Sequence, residues 1–436
     1  AAWGFLAILA FGLPKAHADV AEVWVHRYSN VVSNSDDRST QVVCDAAGDI
    51  IVTGTAKGGI SGQDMLTIKH SGKDGTVLWQ RRYNGTWNVD DVVKAMAVDG
   101  DGNVVITGYS DPGWGPTNAY TAKYAAADGR LLWENRHGNG TELDSEAFVA
   151  MDPGGNVVVT EKSPDNGGFS DSYTAKYAAA DGTLLWERWI ARQTGHHNYP
   201  VAMAMDGSGN VVLMGRSYRG PNFVEDYIVK FSGLDGSLLW EKRSGGQRQA
   251  MTVDASGNVG VIENFHGANG PGYYTAKYAA SDGALLWEKR FDGPVGGIFG
   301  VEAVGSDRSG NVTVSGFSIP LDEGEPSGFF TVKFAAVDGA LLWEQFRADP
   351  VSRWPRSPGK PMVAMDGGGD VIVTMVLSAG PLLLNDDYYT AKYAGTNGAL
   401  LWEQRYDGPA NGNDEARSVV MDASGNVFVT GESDGG

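Results

Sequence analysis

The sequence predicts an all-β protein built from repeats. A fifteen-residue segment at 120–134, YTAKYAAADGRLLWE, returns almost unchanged at 173–187 and 274–288, and four looser copies bring the total to seven. No long stretch has the 3.6-residue apolar spacing of an amphipathic helix. Instead, short apolar segments alternate with turn residues, and 61 of the 436 residues are glycine. This pattern is typical of short strands joined by tight turns.

Each copy of the segment is interpreted as a β-hairpin. Tyr, Thr, Leu and Trp in both arms suit a pleated surface, and the arms meet at Asp-Gly in six copies and at Asn-Gly in the seventh. Both dipeptides tolerate positive φ, so we expect a two-residue type I′ turn. Tyr124 would then lie opposite Trp133, and Lys123 opposite Glu134, in an aromatic pair and an ion pair. A longer loop would shift this register.

A second kind of hairpin lies between successive copies, as in VVKAMAVDGDGNVVITG at 92–108. Its turn starts with Asp and continues with Gly in eight instances. We expect the Asp carboxylate to cap the turn and the Gly to supply a positive φ. Because these strands are apolar on both faces, we expect them nearest the centre, with the alternating strands of the first hairpin outside.

Each repeat therefore holds four antiparallel strands, A to D, and a ring of such units is a β-propeller. The tryptophans of the D strands recur every 47 to 59 residues, and seven units are complete. A lone D strand around Trp24 and an A–B hairpin at 417–431 remain at the chain ends. We therefore favour eight blades, the eighth stitched from both ends without a C strand, and keep seven blades as the alternative.

Charge and cysteine content exclude several classes of protein. The net charge of −19 and the pI near 4.7 argue against a nucleic-acid partner, which would require a basic surface. Cys44 is the single cysteine, so the chain forms no internal disulfide and no Cys-rich metal cluster.

The N-terminus has the character of an export signal. The apolar run 3–13, followed by Ala16-His17-Ala18, resembles the core and cleavage site of a secretory signal peptide. It is too short to span a bilayer. We expect residues 1–18 to be a signal-peptide remnant and residues 19–436 to be a single propeller domain. The mature protein would be a monomer that is secreted, periplasmic or at the cell surface, without a membrane span.

Two known groups share these motifs. MDASGNVFVTGES at 421–433 resembles the SBBP β-propeller repeat of exported bacterial proteins. The string Asp-Gly-x-Leu-Leu-Trp is similar to the tryptophan-docking motif of quinoprotein-like eight-bladed propellers, in which Gly and a Trp four residues later lock neighbouring blades. Gly129 and Trp133 have this offset, although Asp or Asn replaces the Thr of that motif. Both resemblances imply that the repeated tryptophans are structural.

Binding residues are expected in the irregular connections. A–B and C–D turns share one end of the blades and hardly vary, whereas D–A and B–C connections share the other end and vary widely, as binding loops do. Aromatic side chains there could stack on sugars or anchor a protein, or could fold back over the loop bases. The candidate ligand-binding residues are Trp87, Trp114, Trp189, His196, His197, Tyr199, Phe223 and Trp354.

Metal binding is not predicted at the polar candidates. Neighbouring histidines on a strand would point to opposite sides, so a solvated loop is favoured for His196 and His197. Acidic residues recur where strand A begins, at the expected mouth of the central channel: Asp37, Asp91, Asp144 and Asp414. They could hold a hard cation. The more ordinary role is to accept hydrogen bonds from backbone N–H groups of the next blade.

The sequence shows no catalytic constellation of a Ser-His-Asp kind, no paired catalytic carboxylates and no phosphate loop. Fold similarity alone does not carry an activity. We therefore expect a non-catalytic, cofactor-free exported scaffold that binds a protein or polysaccharide at the cell surface. One alternative is a quinoprotein-like oxidoreductase, for which the resemblance implies pyrroloquinoline quinone (PQQ), calcium, a catalytic Asp and, in many members, adjacent cysteines. The other is an envelope-assembly adaptor.

Overall fold

A computed structural model describes the chain at residues 3–12, 21–28, 37–58, 62–113, 117–141, 146–164, 170–190, 197–218, 224–267, 270–292, 298–319, 327–348, 361–379, 385–409 and 412–434. Within these residues there are 32 β-strands and no helix. No helix in this described part is therefore long and apolar enough to cross a membrane. The first two strands are β1 (Trp3–Gly12) and β2 (Ala21–Tyr28).

One compact unit comprises residues 1–8 and 24–245. It contains four sheets of consecutive strands, each antiparallel and in the order A-B-C-D. Their strands are β3 (Arg38–Cys44), β4 (Ile50–Lys57), β5 (Gln63–His70), β6 (Val77–Tyr83); β7 (Asp91–Val98), β8 (Val104–Ser110), β9 (Thr117–Tyr124), β10 (Leu131–Thr141); β11 (Ala147–Met151), β12 (Val157–Pro164), β13 (Ser170–Tyr177), β14 (Leu184–Ile190); β15 (His197–Met205), β16 (Val211–Tyr218), β17 (Val224–Phe231) and β18 (Leu238–Ser244).

The other compact unit comprises residues 9–23 and 246–436. It contains three more sheets with the same strand order. Their strands are β19 (Gln247–Val253), β20 (Val259–Gly267), β21 (Gly270–Tyr278), β22 (Leu285–Asp292); β23 (Ile298–Ser306), β24 (Val312–Ile319), β25 (Gly328–Phe334), β26 (Leu341–Ala348); β27 (Met362–Met365), β28 (Val371–Ala379), β29 (Asn385–Tyr393) and β30 (Leu400–Tyr406). The chain continues with β31 (Asp414–Met421) and β32 (Val427–Asp434).

The predicted fold class, an all-β propeller of four-stranded antiparallel blades, is confirmed, and seven blades are built from consecutive strands. An eighth sheet has the order β2-β1-β32-β31. The expectation that this sheet lacks its C strand is wrong, because the apolar run Trp3–Gly12 takes that position as β1. The interpretation of residues 1–18 as a signal-peptide remnant stays a prediction.

The C–D connection differs from the predicted type I′ turn. Six residues separate β9 from β10, Leu131 pairs with Tyr124, and Trp133 pairs with Lys123. The Gly129 N–H donates to the Ala125 carbonyl (2.9 Å), and Gly129 alone of the Asp-Gly pair has a positive φ, +66°. The predicted ion pair between Lys123 and its cross-strand Glu is therefore wrong, because the longer loop shifts the register.

The A–B turn has the predicted form. The Asp99 Oδ1 atom accepts hydrogen bonds from the N–H groups of Asp101 (3.1 Å) and Asn103 (2.8 Å). Gly102 follows with a φ of +80°. The carboxylate replaces a backbone acceptor in the turn, and glycine supplies the left-handed conformation without a steric penalty.

Strands B and C, not A and B, are the most buried. Every residue of β8 is buried, and so are the last six of β9. In β7, by contrast, buried residues are interspersed with half-buried ones. The alternating Tyr-Thr-Ala-Lys-Tyr strand is therefore buried as well, and its expected position outside strands A and B stays a prediction. Its polar residues have buried partners: the Thr121 hydroxyl lies 2.9 Å from the Thr107 hydroxyl, and the Lys123 ammonium lies 2.9 Å from Asp99.

The repeated tryptophan joins one sheet to the next. The Trp133 Nε1–H donates to the Ala179 carbonyl (3.1 Å), and the indole lies against Gly182. A Cβ at Gly182 would come within 2.8 Å of the indole ring. The same contact recurs at Trp24–Gly75, Trp79–Gly129, Trp186–Gly236, Trp287–Gly339 and Trp343–Gly398. For these six, the predicted role in packing between blades is confirmed.

A buried ion pair lies beside five of these six contacts, those of Trp79, Trp133, Trp186, Trp287 and Trp343. The Lys176 Nζ is 2.6 Å from Asp152 in the A–B turn of its own sheet and also donates to the Gly233 carbonyl of the next sheet (2.6 Å). Burial raises the pKa of Asp152, but hydrogen bonds from Lys176 and Asn156 outweigh burial and hold that pKa below its ordinary value. Equivalent pairs are Lys69–Asp45, Lys123–Asp99, Lys230–Asp206, Lys277–Asp254, Lys333–Asp307 and Lys392–Asp366.

The glycine under the indole can be tested against a glycine in open space. Gly182→Ala adds a methyl group against Trp133 at a φ of +72°, whereas Gly48→Ala adds one at a φ of +84° with no atom within 4 Å. We expect Gly48→Ala to cost about 1 kcal/mol from left-handed strain and Gly182→Ala to cost about 1–3 kcal/mol more. Urea unfolding followed by circular dichroism measures both, and equal losses would contradict the indole contact.

Candidate functional site

The two ends of the sheets have different roles. The contacts of Lys176 bring together the A–B turn at Asp152 and the C–D turn of the next sheet at Gly233. The prediction that A–B and C–D turns share one end is therefore confirmed. That end is occupied by the repeated indole and ion-pair contacts. The irregular D–A and B–C connections leave from the opposite ends of the strands.

An open recess lies at this irregular end, where β15 begins and β16 ends. His197 pairs with Tyr218, and Tyr199 pairs with Arg216. Because alternate residues of a strand share a face, these four side chains point to the same side, and Val201 completes the lining. We call this group, His197, Tyr199, Val201, Arg216 and Tyr218, the aromatic recess.

The rings of the aromatic recess pack on one another. The rings of His197 and Tyr199 are stacked, with centroids 5.9 Å apart and planes inclined by 11°. The Tyr218 ring meets Tyr199 edge-on at 5.5 Å. The Lys162 ammonium lies 4.8 Å from the Tyr199 ring centroid, within range of a cation–π interaction. The recess therefore combines aromatic surface with positive charge in a chain of strongly negative net charge.

Hydrogen bonds hold the polar groups of the aromatic recess in place. The Ser170 N–H donates to His197 Nδ1 (3.2 Å), which places the proton of the neutral imidazole on Nε2. The Arg216 Nε donates to Asp226 Oδ1 (2.9 Å). Burial lowers the pKa of Arg216, but the bond to buried Asp226 outweighs burial and raises it overall. A side chain held in this way loses little entropy when a ligand binds.

The sequence predicted two of the five recess residues, His197 and Tyr199. It missed Arg216 and Tyr218 because both lie where an irregular B–C connection was expected, whereas β16 continues to Tyr218. The sequence did contain a sign of these residues: large side chains with polar groups alternate at 216 and 218, as they do at 197 and 199 on the paired strand.

Two other candidate aromatic residues have different environments. Trp87, in the connection between β6 and β7, is 58% exposed and lies beside Gly113. The expectation that Trp189 lies in a connecting loop is wrong. It belongs to β14 and packs on the rings of Tyr173 (4.7 Å) and His137 (6.4 Å), so it folds back on the sheet.

Five predicted site residues lie outside the described residues. They are Trp114, Asp144, His196, Phe223 and Trp354.

The acidic residues at the start of strand A accept backbone hydrogen bonds. Asp91 accepts from the Gly85 N–H (2.6 Å), Asp414 from the Gly408 N–H (2.6 Å), and Asp37 from the N–H of residue 57 (2.9 Å). These carboxylates accept backbone N–H groups, but the expectation that the donors belong to the next blade is wrong, because they lie in the preceding connection or in the residue's own sheet. Burial raises the pKa of Asp414 to about 6.

At the position equivalent to Asp91, another repeat of the chain has an uncharged asparagine. Burial raises the pKa of Asp91, and the nearby charges of Asp64 and Asp111 raise it further. In β15 the equivalent position is Asn198, since both residues pair with a serine of strand B. The Asn198 amide donates to Asp171 (3.1 Å), as a protonated carboxyl group would do at that position.

A buried glutamate also escaped the sequence analysis. Glu161 pairs with Tyr173 in β12, at the position that Gly108 and Gly215 occupy in β8 and β16. Burial raises the pKa of Glu161 to about 8, and its Oε1 has no hydrogen-bond partner. The sequence did contain a sign of this residue, because a glutamate stands where β8 and β16 have a glycine.

These features define a β-propeller with an aromatic recess at the irregular end of one sheet. A family model described as outer membrane protein assembly factor BamB matches residues 68–264 and 272–435, and the chain belongs to this family. A search of curated proteins found no match.

Among solved structures, the chain is similar to BamB from Moraxella catarrhalis, with 15% identity, a TM-score of 0.46, and coverage of 90% of this chain and 96% of that one. It is also similar to the quinohemoprotein alcohol dehydrogenase from Comamonas testosteroni, with 12% identity, a TM-score of 0.50, and coverage of 90% and 75%. A europium-containing methanol dehydrogenase matches with 12% identity, a TM-score of 0.52, and coverage of 90% and 84%. The similarity to the two dehydrogenases concerns the fold alone. The resemblance to SBBP repeats stays a prediction.

The cysteine content does not fit two features of such dehydrogenases, a disulfide between adjacent cysteines and a haem attached through cysteines. Cys44 is the single cysteine of the sequence, so neither a disulfide between adjacent cysteines nor a Cys-x-x-Cys-His haem attachment can form. Cys44 is half-buried, and its thiol donates to the neighbouring Asp45 carbonyl (3.4 Å). No reaction step is therefore derived through a quinone or a haem.

The buried carboxyl of Asp91 predicts a pH effect on stability. A raised pKa in the folded state means that the unfolded chain loses its proton first as the pH rises above 3.8. Folding is then progressively penalised until the folded pKa is passed. We expect Asp91→Asn to remove this penalty, by about 1.4 kcal/mol for each unit of pKa difference.

The reverse substitution is the matched control. Asn198→Asp places a second carboxyl beside Asp171, so this variant should lose stability as the pH rises above about 4. Urea unfolding between pH 3.5 and 8 measures both variants against the wild type. A constant difference at every pH would contradict the account.

Proposed function

We propose that this protein is a non-catalytic binding scaffold of the cell envelope, and that it docks a protein partner on the aromatic recess. One observation carries the proposal: ordered aromatic and cationic side chains lie at the irregular end of a sheet whose other end is used for blade packing. Rigid aromatic side chains and arginine are the residues that dominate binding energy at protein interfaces.

The geometry favours a protein side chain over a sugar as the ligand. A stacked sugar needs an open ring face, but the Tyr199 ring is already surrounded by His197, Tyr218 and the ammonium of Lys162. The cations Lys162 and Arg216 favour a partner segment that carries carboxylates. The matching family is described as an assembly factor, which also supports a protein partner.

The lining of the aromatic recess supports binding without catalysis. None of its five residues is a Ser, Cys, Asp or Glu that could act as nucleophile or general base. The nearby Asp226 is buried against Arg216, and His197 Nδ1 is occupied by a backbone N–H. The imidazole thus has a positioning role in the recess.

The proposed location is the periplasm or the cell surface, with the protein acting as a monomer. The outer-membrane description of the family supports export.

Site-specific photo-crosslinking in exporting cells tests the docking proposal. Benzoylphenylalanine in place of Tyr199 should form a crosslink to an envelope protein. The matched control carries it in place of Leu234, which is 91% exposed in the C–D turn at the opposite end of the same sheet. We expect no crosslink from Leu234, and equal crosslinking from both positions would contradict a specific recess.

The identified partner then allows a measurement of affinity. We expect Tyr199→Ala and Arg216→Ala each to weaken binding by about 2 kcal/mol, roughly thirtyfold, because both side chains are ordered before binding. A Leu234→Ala control should leave the affinity unchanged. A different result would instead establish sugar binding. In that case the wild type binds a polysaccharide on a glycan array, Tyr199→Ala does not, and no protein crosslink forms.

A further inference from the structure

Three carboxylates meet where β29 and β31 begin and β30 ends. The ligand oxygens of Asp387, Asp407 and Asp414 lie within 4.8 Å of one another. Asp387 is 3% and Asp414 0% exposed, whereas Asp407 is exposed to solvent. The cluster is therefore open on one side and closed on the other, and all three residues belong to one compact unit.

In each buried carboxylate of this cluster, one oxygen accepts a hydrogen bond and the other oxygen has no hydrogen-bond partner. The Oδ2 of Asp387 accepts a hydrogen bond from Arg405 Nε (2.5 Å), and the Oδ2 of Asp414 accepts one from the Gly408 N–H (2.6 Å). The Oδ1 atom of each is buried without a hydrogen-bond partner. Leaving a buried acceptor unsatisfied is costly, so these two atoms are suited to a ligand.

A neutral side chain points to the same space. The Ser433 hydroxyl is 3% exposed and lies beside the Asp414 carboxyl, to which it makes no well-aligned hydrogen bond. A Cβ built at Gly408 would collide with Ser433 Oγ and with Asp414 Oδ1, so both oxygens border the space that this glycine leaves open. Three unsatisfied buried oxygens, from two aspartates and a serine, thus surround the cluster.

The other unit contains a similar arrangement. Arg82 donates to Asp64 (2.7 Å) as Arg405 does to Asp387, and the Gly85 N–H donates to Asp91 as the Gly408 N–H does to Asp414. The position of Asp407 is occupied there by Asn84, whose amide donates to Asn88 (2.8 Å). The third carboxylate therefore distinguishes the cluster at Asp414 from its counterpart.

We propose that Asp387, Asp407, Asp414 and Ser433 bind a calcium ion. The ion would be held by the unsatisfied Oδ1 atoms of Asp387 and Asp414, the carboxylate of Asp407 and the Ser433 hydroxyl, with water completing the shell. Calcium accepts six to eight oxygen ligands in irregular geometry, whereas magnesium demands a near-ideal octahedron that this mixed set does not supply. A divalent cation also offsets the mutual repulsion of these carboxylates.

Terbium luminescence on the full chain tests the proposal, because Tb³⁺ replaces Ca²⁺ at oxygen-rich sites. Tyr388, next to Asp387 and packed on Tyr406 with ring centroids 5.3 Å apart, is placed to transfer excitation energy to the ion. We expect saturable Tyr-sensitised emission that Ca²⁺ displaces, with a calcium dissociation constant of about 10⁻⁴–10⁻³ M. Calcium should also raise the midpoint of thermal unfolding, since it binds the folded state.

Three variants decide the assignment. Asp407→Asn copies the residue of the other unit and should weaken binding at least about tenfold. Ser433→Ala removes one neutral ligand and should weaken binding by a smaller factor. The matched control is Asp292→Asn, an exposed aspartate at the same position of β22 that is paired with Arg290 (2.8 Å), and it should bind as the wild type does.

Circular dichroism first confirms that each variant is folded. Absence of saturable emission from the wild type, or equal emission from the wild type and a folded Asp407→Asn variant, would overturn the proposal. Equal weakening by Asp292→Asn would do the same, because it would show that general negative charge attracts the ion.

Discussion

The contact between an indole and a glycine is the constraint on which this structure depends. Trp133 can lie against Gly182 only because that residue has no Cβ and adopts a positive φ, and the indole N–H then reaches a carbonyl of the next sheet. The buried Lys–Asp pair beside it spans the same junction. Removing one member of such a pair leaves an uncompensated buried charge, so substitution of either residue is strongly destabilising. These two requirements explain why one end of every repeat is nearly constant.

The packing contacts constrain the sequence at only one end of each repeat, so the residues at the other end differ between repeats. At that end the strands stop at different positions, as β16 does at Tyr218, and side chains from paired strands can meet on one face. The aromatic recess arises in this way, with Tyr199 and Arg216 opposite each other on a rigid sheet. Binding residues positioned on strands are held more precisely than residues on loops, because the backbone ladder sets their spacing.

One polar position shows how a repeated scaffold acquires distinct chemistry. Where strand A begins, the chain places a carboxyl group at Asp91 and Asp414 and an amide at Asn198. Each faces another aspartate from the preceding C strand. The amide satisfies that partner as a donor, the isolated pair of carboxyl groups resists ionisation, and a third carboxylate at Asp407 creates a set of cation ligands. A single substitution thus changes the character of the junction while the backbone stays the same.

The sequence by itself determined the strand count per repeat, the capped A–B turns and the structural role of the tryptophans, because these follow from local turn chemistry and from repetition. It did not determine the C–D register, since Asp-Gly suits both a two-residue turn and the observed six-residue connection. It identified His197, Tyr199 and Asp414 but neither Arg216 nor the grouping of Asp414 with Asp387 and Asp407. Those residues are distant along the chain or were assigned to loops, and only strand pairing and packing decide which side chains share a face.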